Sequence, residues 1–470
     1  MLFSRRRSLV NFIPKHEDRH CHFCVTVGGV GLLAYLVFKV YQSLPLLDRI
    51  FNSTLSFLLT SRTGIDTAPK TNLKMKNILF LIAAIAIVFV GCKKEEAGSE
   101  KWPSTPIPTD EIHYTSSDGE IIEPKHEDFG DGVTIVSNTY KNGKGIIKFN
   151  SPITRVPNSS FERCLNLTSI IIPDGVTEFG YMAFHNCRNL TSVTIPNSLS
   201  DLHYHVFNYC DNLEVFYGEH TSADNRCLII DGILYAFAPA GLSEYIIPTG
   251  VTSIGQAVFY ATNLKNITIP DGVTKISSMA FSYCDNLTSI DIPNSVTTID
   301  GGFKYNSGLV TVTIGNGITT LKSPFLDCEN LKAFYGGFAS ADNRCLILND
   351  VLYSFAPAGL TEYAIPDNVA TIEYAAFWYC DRLTTITIPG SVKSIKDSAF
   401  YGCRSLKNVY CQSTIPPTLA DKVFQVYTDG ENVTLESLQA IYVPRESVEA
   451  YKSSKSWSDY IDLIQGYDFE

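Results

Sequence analysis

The sequence lacks the compact motifs through which many enzymes bind phosphate or build a nucleophile. It has no glycine-rich phosphate-binding loop and no Gly-x-Ser-x-Gly motif. One group of residues has the composition of a metal site. Its histidines stand at positions that vary along the chain, whereas its cysteines belong to a regularly repeated position, described below. The group consists of His185, Cys187, His203, His205 and Cys210. An enzyme needs a nucleophile and a base within hydrogen-bond reach in a cleft. We therefore predict no catalytic residues, no metal site and no cofactor.

Positive charge is also scarce after residue 91. Residues 1–91 hold 11 of the 37 Lys and Arg and 4 of the 48 Asp and Glu, which leaves 26 basic and 44 acidic residues and a net charge of −18. Such a surface repels phosphate backbones. The composition therefore predicts that nucleic acid is not a partner.

The chain instead contains a repeat of 22 or 23 residues. Each repeat opens on a strand-like run that closes on proline or glycine, as in Leu167 to Pro173 and Leu287 to Pro293. A unit this short cannot bury its own apolar side, so units must stack and share one core. The leading residues predict twelve turns: Leu167, Leu190, Leu213, Leu242, Leu264, Leu287, Leu309, Leu331, Leu360, Leu383, Leu406 and Leu438.

Within a turn the apolar residues alternate and then recur in a second block. Strand alternation sends Ile290 and Ile292 inward and Asp291 outward. Downstream, one phenylalanine per turn supplies bulk for the opposite wall, and three residues after it stands a small residue. We call this position the cysteine slot. It holds Cys164, Cys187, Cys210, Cys284, Cys328, Cys380 and Cys403, or Thr262 and Asn306. Because Cys, Thr and Asn interchange there, we predict a buried donor to a turn carbonyl instead of disulfides or a metal.

Two of the intervals between leading residues are 29 residues long instead of 22 or 23. They contain nearly the same amino-acid sequence and lie 118 residues apart. They predict hairpins near residues 225–239 and 343–357, with tips at Asp231-Gly232 and Asn349-Asp350. We expect each hairpin to project from its turn. The shared offset indicates that a block of five turns was duplicated.

Both ends of the solenoid, which we assign to residues 164–437, carry predicted caps. Residues 111–163 form a β-rich N-terminal cap, with a hairpin over 114–121 and a strand over 145–149. Residues 438–470 form a C-terminal cap, with a strand over 440–444 and a helix over 447–464 that presents Tyr451, Trp457 and Tyr460. Caps shield the open ends of a repeat core.

Residues 75–91 are typical of a signal peptide. The apolar run from Ile78 to Val90 has 13 residues, fewer than the ~20 that span a bilayer but suited to a signal-peptide core. Residues 92–110 are rich in Pro, Ser and Thr, which predicts a flexible tether. For residues 1–74 three explanations stay open: translation that truly begins at Met75, downstream of the first residue given, a membrane-spanning leader, or a fused segment.

Cys92 directly after Val90-Gly91 resembles the bacterial lipobox cysteine. Together with the pattern LTSIxIPxxVTxIxxxAFxxC, the NRCL inserts and the IYVP strand with its SVxAYK helix, the chain resembles the BspA-like leucine-rich repeat proteins of Bacteroidetes and some parasitic protists. The resemblance implies a leucine-rich repeat solenoid, a right-handed superhelix of short parallel strands with irregular, β-rich connections. It also implies a surface-exposed lipoprotein, lipid-anchored at Cys92 in the bacterial outer membrane, that binds host or bacterial surface proteins or glycans.

The residue between the two inward positions of each main strand forms a stripe, rich in tyrosine and threonine: Ile171, Thr194, Tyr217, Ile246, Thr268, Asp291, Thr313, Tyr335, Ala364, Thr387, Tyr410 and Tyr442. Our candidate ligand-binding residues within it are Tyr217, Thr268, Asp291, Thr313, Tyr335, Thr387, Tyr410 and Tyr442. Tyrosine suits both protein interfaces and sugar stacking, while strand propensity alone also favours these residues. Two functions remain: an adhesin or protein-interaction module, and a glycan- or nutrient-binding lipoprotein that serves an outer-membrane importer.

Overall fold

A computed structural model describes residues 106–428 and 430–469. The segment 1–74, the signal peptide predicted at 75–91, Cys92 and most of the predicted tether lie outside these residues. Within the described part, no helix is both long enough and apolar enough to cross a membrane. The structure is a β-solenoid whose turns stack along one axis.

One wall of the solenoid is a series of parallel main strands. Each of the twelve predicted leading residues is followed by one, so the predicted solenoid of about twelve turns is confirmed, and a partial turn adds to each end. The main strands are β5 (Leu167–Ile171), β7 (Ser192–Thr194), β9 (Val215–Tyr217), β12 (Glu244–Ile246), β14 (Asn266–Thr268), β16 (Ser289–Ile292), β18 (Thr311–Ile314), β20 (Ala333–Gly336), β23 (Glu362–Ala364), β25 (Thr385–Ile388), β27 (Asn408–Cys411) and β31 (Ala440–Pro444).

A second wall consists of short strands from the downstream block of each turn. They pair in parallel with their neighbours, as β13 does with β15. A threonine before many of them donates its hydroxyl to the equivalent carbonyl one turn earlier, as Thr297 does to Thr274 at 3.1 Å. The short strands are β4 (Arg155–Val156), β6 (Glu178–Phe179), β8 (Asp201–Leu202), β13 (Ser253–Ile254), β15 (Lys275–Ile276), β17 (Thr298–Asp300), β19 (Thr320–Lys322), β24 (Thr371–Ile372), β26 (Ser394–Ile395) and β28 (Thr418–Leu419).

The two inserts fold as antiparallel hairpins, β10 (Cys227–Ile230) with β11 (Ile233–Phe237) and β21 (Cys345–Leu348) with β22 (Val351–Phe355). The tip residues have left-handed backbones, with φ of 50° at Asp231 and 77° at Gly232. The expectation that the hairpins project is wrong. Strands β11 and β22 pair in parallel with β13 and β24 and so occupy the short-strand position of their turns. The reason is burial, since Cys227, Leu228 and Leu234 are fully buried.

A third wall, the phenylalanine wall, holds the inward phenylalanine of each turn. Neighbouring rings stack almost parallel, with centroids 5.3 Å apart for Phe184–Phe207 and 4.9 Å apart for Phe281–Phe303. The backbone of this wall is also bonded from turn to turn, as where Phe161 N donates to Ala183 O at 2.8 Å. Insert turns have no such block, and the core accordingly forms three clusters that meet at the hairpins, spanning residues 112–238, 227–356 and 345–464.

The N-terminal cap contains β1 (Glu111–Ser116), β2 (Ile135–Lys141) and β3 (Lys144–Phe149). The hairpin predicted over 114–121 is wrong, because β1 pairs antiparallel with β3 and with β5. The hairpin in this cap is β2–β3, which turns at Asn142-Gly143 with φ of 53° and 77°. The pair β1–β5 joins the cap to the first full turn.

The C-terminal cap continues from a hairpin, β29 (Gln425–Thr428) with β30 (Glu431–Thr434). The helix predicted over 447–464 is broken into a 3-10 turn at Arg445–Ser447, the α-helix α1 at Val448–Ser453 and a 3-10 helix at Lys455–Leu463. The chain then forms β32 (Ile464–Tyr467), which pairs in parallel with β31 and was not predicted. Tyr451, Trp457 and Tyr460 are buried in the last core cluster, so they cover its end.

Candidate interaction surfaces

The predicted stripe lies in register on the main strands. Thr194 pairs with Tyr217, and Asp291 pairs in turn with Thr313, which pairs with Tyr335. In the third group, Ala364, Thr387, Tyr410 and Tyr442 are consecutive partners. The structure therefore brings the candidate residues onto one face of the main strands, which form four sheets, and Thr268 belongs to the short sheet β12–β14.

Exposure divides the stripe into free and covered parts. Tyr217 is 39% exposed, Ile246 71% and Tyr335 45%, and Thr268, Asp291 and Thr313 are exposed as well. Ile171 is buried at the cap, and Thr387 is half-buried. An isoleucine that keeps most of its surface in water costs solvation free energy, which complex formation recovers.

The tyrosines at the C-terminal end of the stripe are engaged with one another. Tyr410 and Tyr442 stack with ring centroids 4.7 Å apart. Tyr467 of β32 lies 5.2 Å from Tyr410, and Phe469 packs on Tyr467 at 4.9 Å. Desolvation raises the pKa of Tyr410 above its ordinary value. Tyr410 and Tyr442 are thus half-covered by the end of the chain, unlike Tyr217 and Tyr335.

The cysteine slot has the structural role predicted for it. The ten described cysteines are free thiols. Five donate to the carbonyl oxygen of the phenylalanine one turn earlier, at 2.9 to 3.2 Å: Cys187, Cys210, Cys284, Cys328 and Cys403. Thr262 and Asn306 donate to the phenylalanine carbonyl of their own turn, at 2.9 and 3.0 Å. Burial raises the pKa of Cys284 to about 11, so the slot holds a protonated thiol.

The histidines near this slot pack as aromatic rings. His185 and His205 lie with ring centroids 6.5 Å apart, and burial lowers the pKa of both imidazoles. Cys187 and Cys210 turn their thiols to backbone carbonyls, as above. Among residues 106–428 and 430–469, no group of three or more His, Cys, Asp or Glu side chains is placed to hold a metal ion.

A second aromatic surface, missed by the sequence analysis, runs along the phenylalanine wall. Ring centroids are 5.8 Å apart for Tyr209–Tyr260, 5.2 Å for Tyr260–Tyr283 and 5.0 Å for Tyr283–Tyr305. The sequence signal for Tyr209, Tyr283 and Tyr305 is a tyrosine immediately before the small residue that follows each phenylalanine by three positions. The backbone is left-handed there, with φ of 60° at Tyr209 and 61° at Tyr305, and Tyr260 stands one position earlier. We refer to the position immediately before the small residue as the left-handed slot.

The comparison with protein families agrees with this architecture. A family model described as a BspA-type leucine-rich repeat region matches the chain in six copies, over residues 133–227, 234–338 and 352–445. The first gap, residues 228–233, lies within the first hairpin, and the second gap, residues 339–351, begins before the second hairpin and ends within it. No curated protein matches the chain.

Several solved structures are similar to the chain at low identity. A leucine-rich cell surface protein from Faecalibacterium prausnitzii is 21% identical over 78% of this chain and 96% of its own, with a TM-score of 0.38. A leucine-rich repeat protein from Bacteroides ovatus is 22% identical over 65% of this chain and 73% of its own, with a TM-score of 0.30. One from Eubacterium ventriosum is 19% identical over 65% and 82%, with a TM-score of 0.33.

Proposed function

The chain belongs to the family of proteins with BspA-type leucine-rich repeats, and from that premise we propose that it is a non-enzymatic cell-surface lipoprotein that binds a protein partner. The proposed binding surface is the outward side of the main strands, which carries the stripe and which we call the main-strand face. The exposed part of the stripe is the observation that carries this proposal. Tyr217, Ile246 and Tyr335 offer aromatic and apolar surface to water. Binding energy at protein interfaces concentrates in such aromatic anchors.

The candidate binding residues fall into two groups within this proposal. Tyr217 and Tyr335 are the anchors, because they are exposed and lie at the ends of their sheets. Thr268, Asp291, Thr313 and Thr387 form the polar surface around them. Tyr410 and Tyr442 contribute as a preformed pair, since they already stack on each other.

Two exposed tyrosines on the phenylalanine wall provide a matched control. Tyr283 and Tyr374 are 39% and 40% exposed, close to the 39% and 45% of Tyr217 and Tyr335. We expect Tyr217→Ser with Tyr335→Ser to weaken binding to a panel of immobilised matrix proteins by about tenfold or more. Tyr283→Ser with Tyr374→Ser should bind like the wild type. If the control pair abolishes binding and the stripe pair does not, the main-strand face is not the interface.

The glycan-binding alternative uses the same tyrosines, because an aromatic ring also stacks on sugar. A glycan array run beside the matrix-protein panel separates the two functions. Binding to glycans alone, lost in the stripe pair, would replace the adhesin proposal by uptake or capture of glycans.

Surface anchoring is proposed from the sequence around Cys92, which lies outside the described residues. Lipidation there makes Cys92 the first residue of the mature protein and holds the solenoid at the outer membrane. Metabolic labelling with palmitate should mark the wild type and not Cys92→Ala. An unlabelled protein with an intact N-terminus at Met1 would contradict the anchor.

A further inference from the structure

The first insert leaves a gap in the phenylalanine wall. Its turn has no block of its own, so the block at Phe207 faces the block at Phe259 across the hairpin residue Phe237, whose ring lies 4.9 Å from that of Phe259. Asn208 spans the junction, because its buried amide donates to Ala257 O at 2.9 Å. Aromatic rings span it on the outside, with centroids 5.0 Å apart for His205 and Tyr260.

A cavity of about 260 Å³ opens at this junction. The rings of His205, Tyr209, Tyr235 and Tyr260 line it, and Asp211 and Asn263 lie at its exposed rim. Pockets that hold drug-sized ligands measure about 300 to 1,000 Å³. The occupant of this cavity is therefore smaller, of the size of one ring with its substituents.

The second insert forms the equivalent junction with almost no cavity, only about 10 Å³. At the shared offset of 118 residues, Tyr379 stands where the first junction has Ala261, and Trp378 stands where it has Tyr260. Both larger side chains line the closed junction. The left-handed slot holds tyrosine at 209, 283, 305 and 379, and Arg163, Asn186, Ala261, Asp327 and Gly402 in the other blocks. The block after the first insert thus has Ala261 at this slot, where the block after the second insert has Tyr379.

The polar groups of the open cavity suit hydroxyl groups. Because Asn208 uses its amide nitrogen as a donor to Ala257, its oxygen accepts from His205 Nδ1 at 2.7 Å. That assignment leaves His205 Nε2 as an acceptor. Asp211 adds a carboxylate acceptor and Asn263 adds both a donor and an acceptor.

We propose that the cavity at the first insert binds a single neutral pyranose ring, with the sugar face against Tyr209 or Tyr260 and its hydroxyls on Asp211, Asn263 and His205. Aromatic walls bury the C–H face of a sugar, and the acceptors at the rim take its hydroxyl protons. The carboxylate of Asp211 disfavours acidic sugars by repulsion. The site lies on the phenylalanine wall, so it does not depend on the main-strand face.

Saturation-transfer NMR on the full chain with methyl glycosides of glucose, galactose, mannose and N-acetylglucosamine tests the proposal, and methyl glucuronide is the acidic control. We expect at least one neutral glycoside to bind with a millimolar Kd. Ala261→Tyr, which copies the left-handed slot of the second junction, should weaken that binding by about tenfold or more. Tyr379→Ala is the matched control and should leave it unchanged.

Asp211→Ala gives a second reading that does not depend on refilling the cavity. Asp211 is exposed, so the variant should fold. We expect it to weaken glycoside binding several-fold. If Ala261→Tyr lowers the melting temperature, the binding measured for Asp211→Ala tests the proposed site in its place. The proposal is overturned if no neutral glycoside binds at millimolar concentration, if the glucuronide binds equally well, or if wild type and Ala261→Tyr bind alike. Loss of matrix-protein binding in the stripe pair with glycoside binding intact would separate the two surfaces.

Discussion

The two insert turns have nearly the same amino-acid sequence, and the same residues make the same buried contacts in both. Arg226 donates to the carbonyl oxygens of Ala238 and Ala240 at 3.2 and 2.9 Å. Arg344 does the same to Ala356 and Ala358 at 3.1 and 2.9 Å. A buried thiol meets a tyrosine hydroxyl in each, Cys227 with Tyr245 at 3.1 Å and Cys345 with Tyr363 at 3.2 Å.

The inserts differ where they meet their surroundings. A Cβ atom on Gly232 would lie 2.9 Å from Thr252 Oγ1, whereas the second tip carries Asp350 and has Ala370 in place of that threonine. The neighbouring phenylalanine wall is open at the first insert and closed at the second. These buried contacts are thus the same in both copies, while the residues at the tips and at the neighbouring junctions differ.

The largest effect should come from the hairpin phenylalanines. We expect Phe237→Ala and Phe355→Ala each to lower the free energy of unfolding by ~3 to 5 kcal/mol, because each opens a cavity in the core. Urea denaturation of both variants measures this, with Phe281→Ala as a reference from a regular turn. Losses that differ by more than about 2 kcal/mol between the copies would show that the inserts are not equivalent in the core.

Alkaline pH should destabilise both inserts alike. Burial raises the pKa of Cys227 to about 12 and that of Cys345 to about 12, against ~8.5 for an exposed thiol. Above pH ~8.5 the unfolded chain loses protons that the folded chain keeps, so stability is full below that pH and falls as the pH rises toward 12.

Denaturation at pH ~8 and pH ~10 tests this fall. Cys227→Ser and Cys345→Ser should each make it shallower by the same amount. A fall that neither substitution changes would mean that other groups cause it.

The thiol–tyrosine contacts should have a smaller effect. Tyr245→Phe and Tyr363→Phe each leave a buried thiol without its hydroxyl partner, and we expect each to cost ~1 to 2 kcal/mol. Thermal melts of the two variants against the wild type provide the measurement. Tyr245 also donates to Asp224 at 3.1 Å, so if only Tyr245→Phe melts early, the loss comes from that bond and not from the thiol contact.

The smallest effect concerns the hairpin tips. Gly232→Asp copies the second tip into the first and should cost about 1 kcal/mol, because its Cβ meets Thr252 and its backbone has a left-handed φ of 77°. Adding Thr252→Ala should recover the part of the loss that comes from the contact, which a double-mutant cycle would report as coupling. Additive losses would argue against the compensating pair.

Repetition explains which parts of this structure could be predicted. The strand position that Asp291 occupies recurs in twelve turns. The alternation of inward and outward residues in one strand therefore predicts which residue of every other strand faces outward. The caps occur once and offer no such averaging. There, the residues at 114–121 predict a hairpin that does not form, although Asn142-Gly143 is the stronger hairpin signal. Strand β32 is not predicted, because its residues follow a helix-like stretch.

The candidate site was predictable only in part, for a related reason. The stripe follows from strand periodicity, but Tyr209, Tyr283 and Tyr305 of the phenylalanine wall occupy left-handed positions, which no periodicity marks. The cavity depends on a difference between copies, Ala261 against Tyr379. Such a difference becomes meaningful only when the two junctions are seen to be equivalent in space.

The turn-to-turn hydrogen bonds of the three walls also determine how the molecule responds to force. A pull on the two ends loads the ladder of a terminal turn one bond after another, so turns should peel away singly from the ends. Each step releases a turn of 22 or 23 residues, which lengthens the chain by up to ~75 Å. We therefore expect a solenoid of this construction to yield to a pull in small increments, one turn at a time.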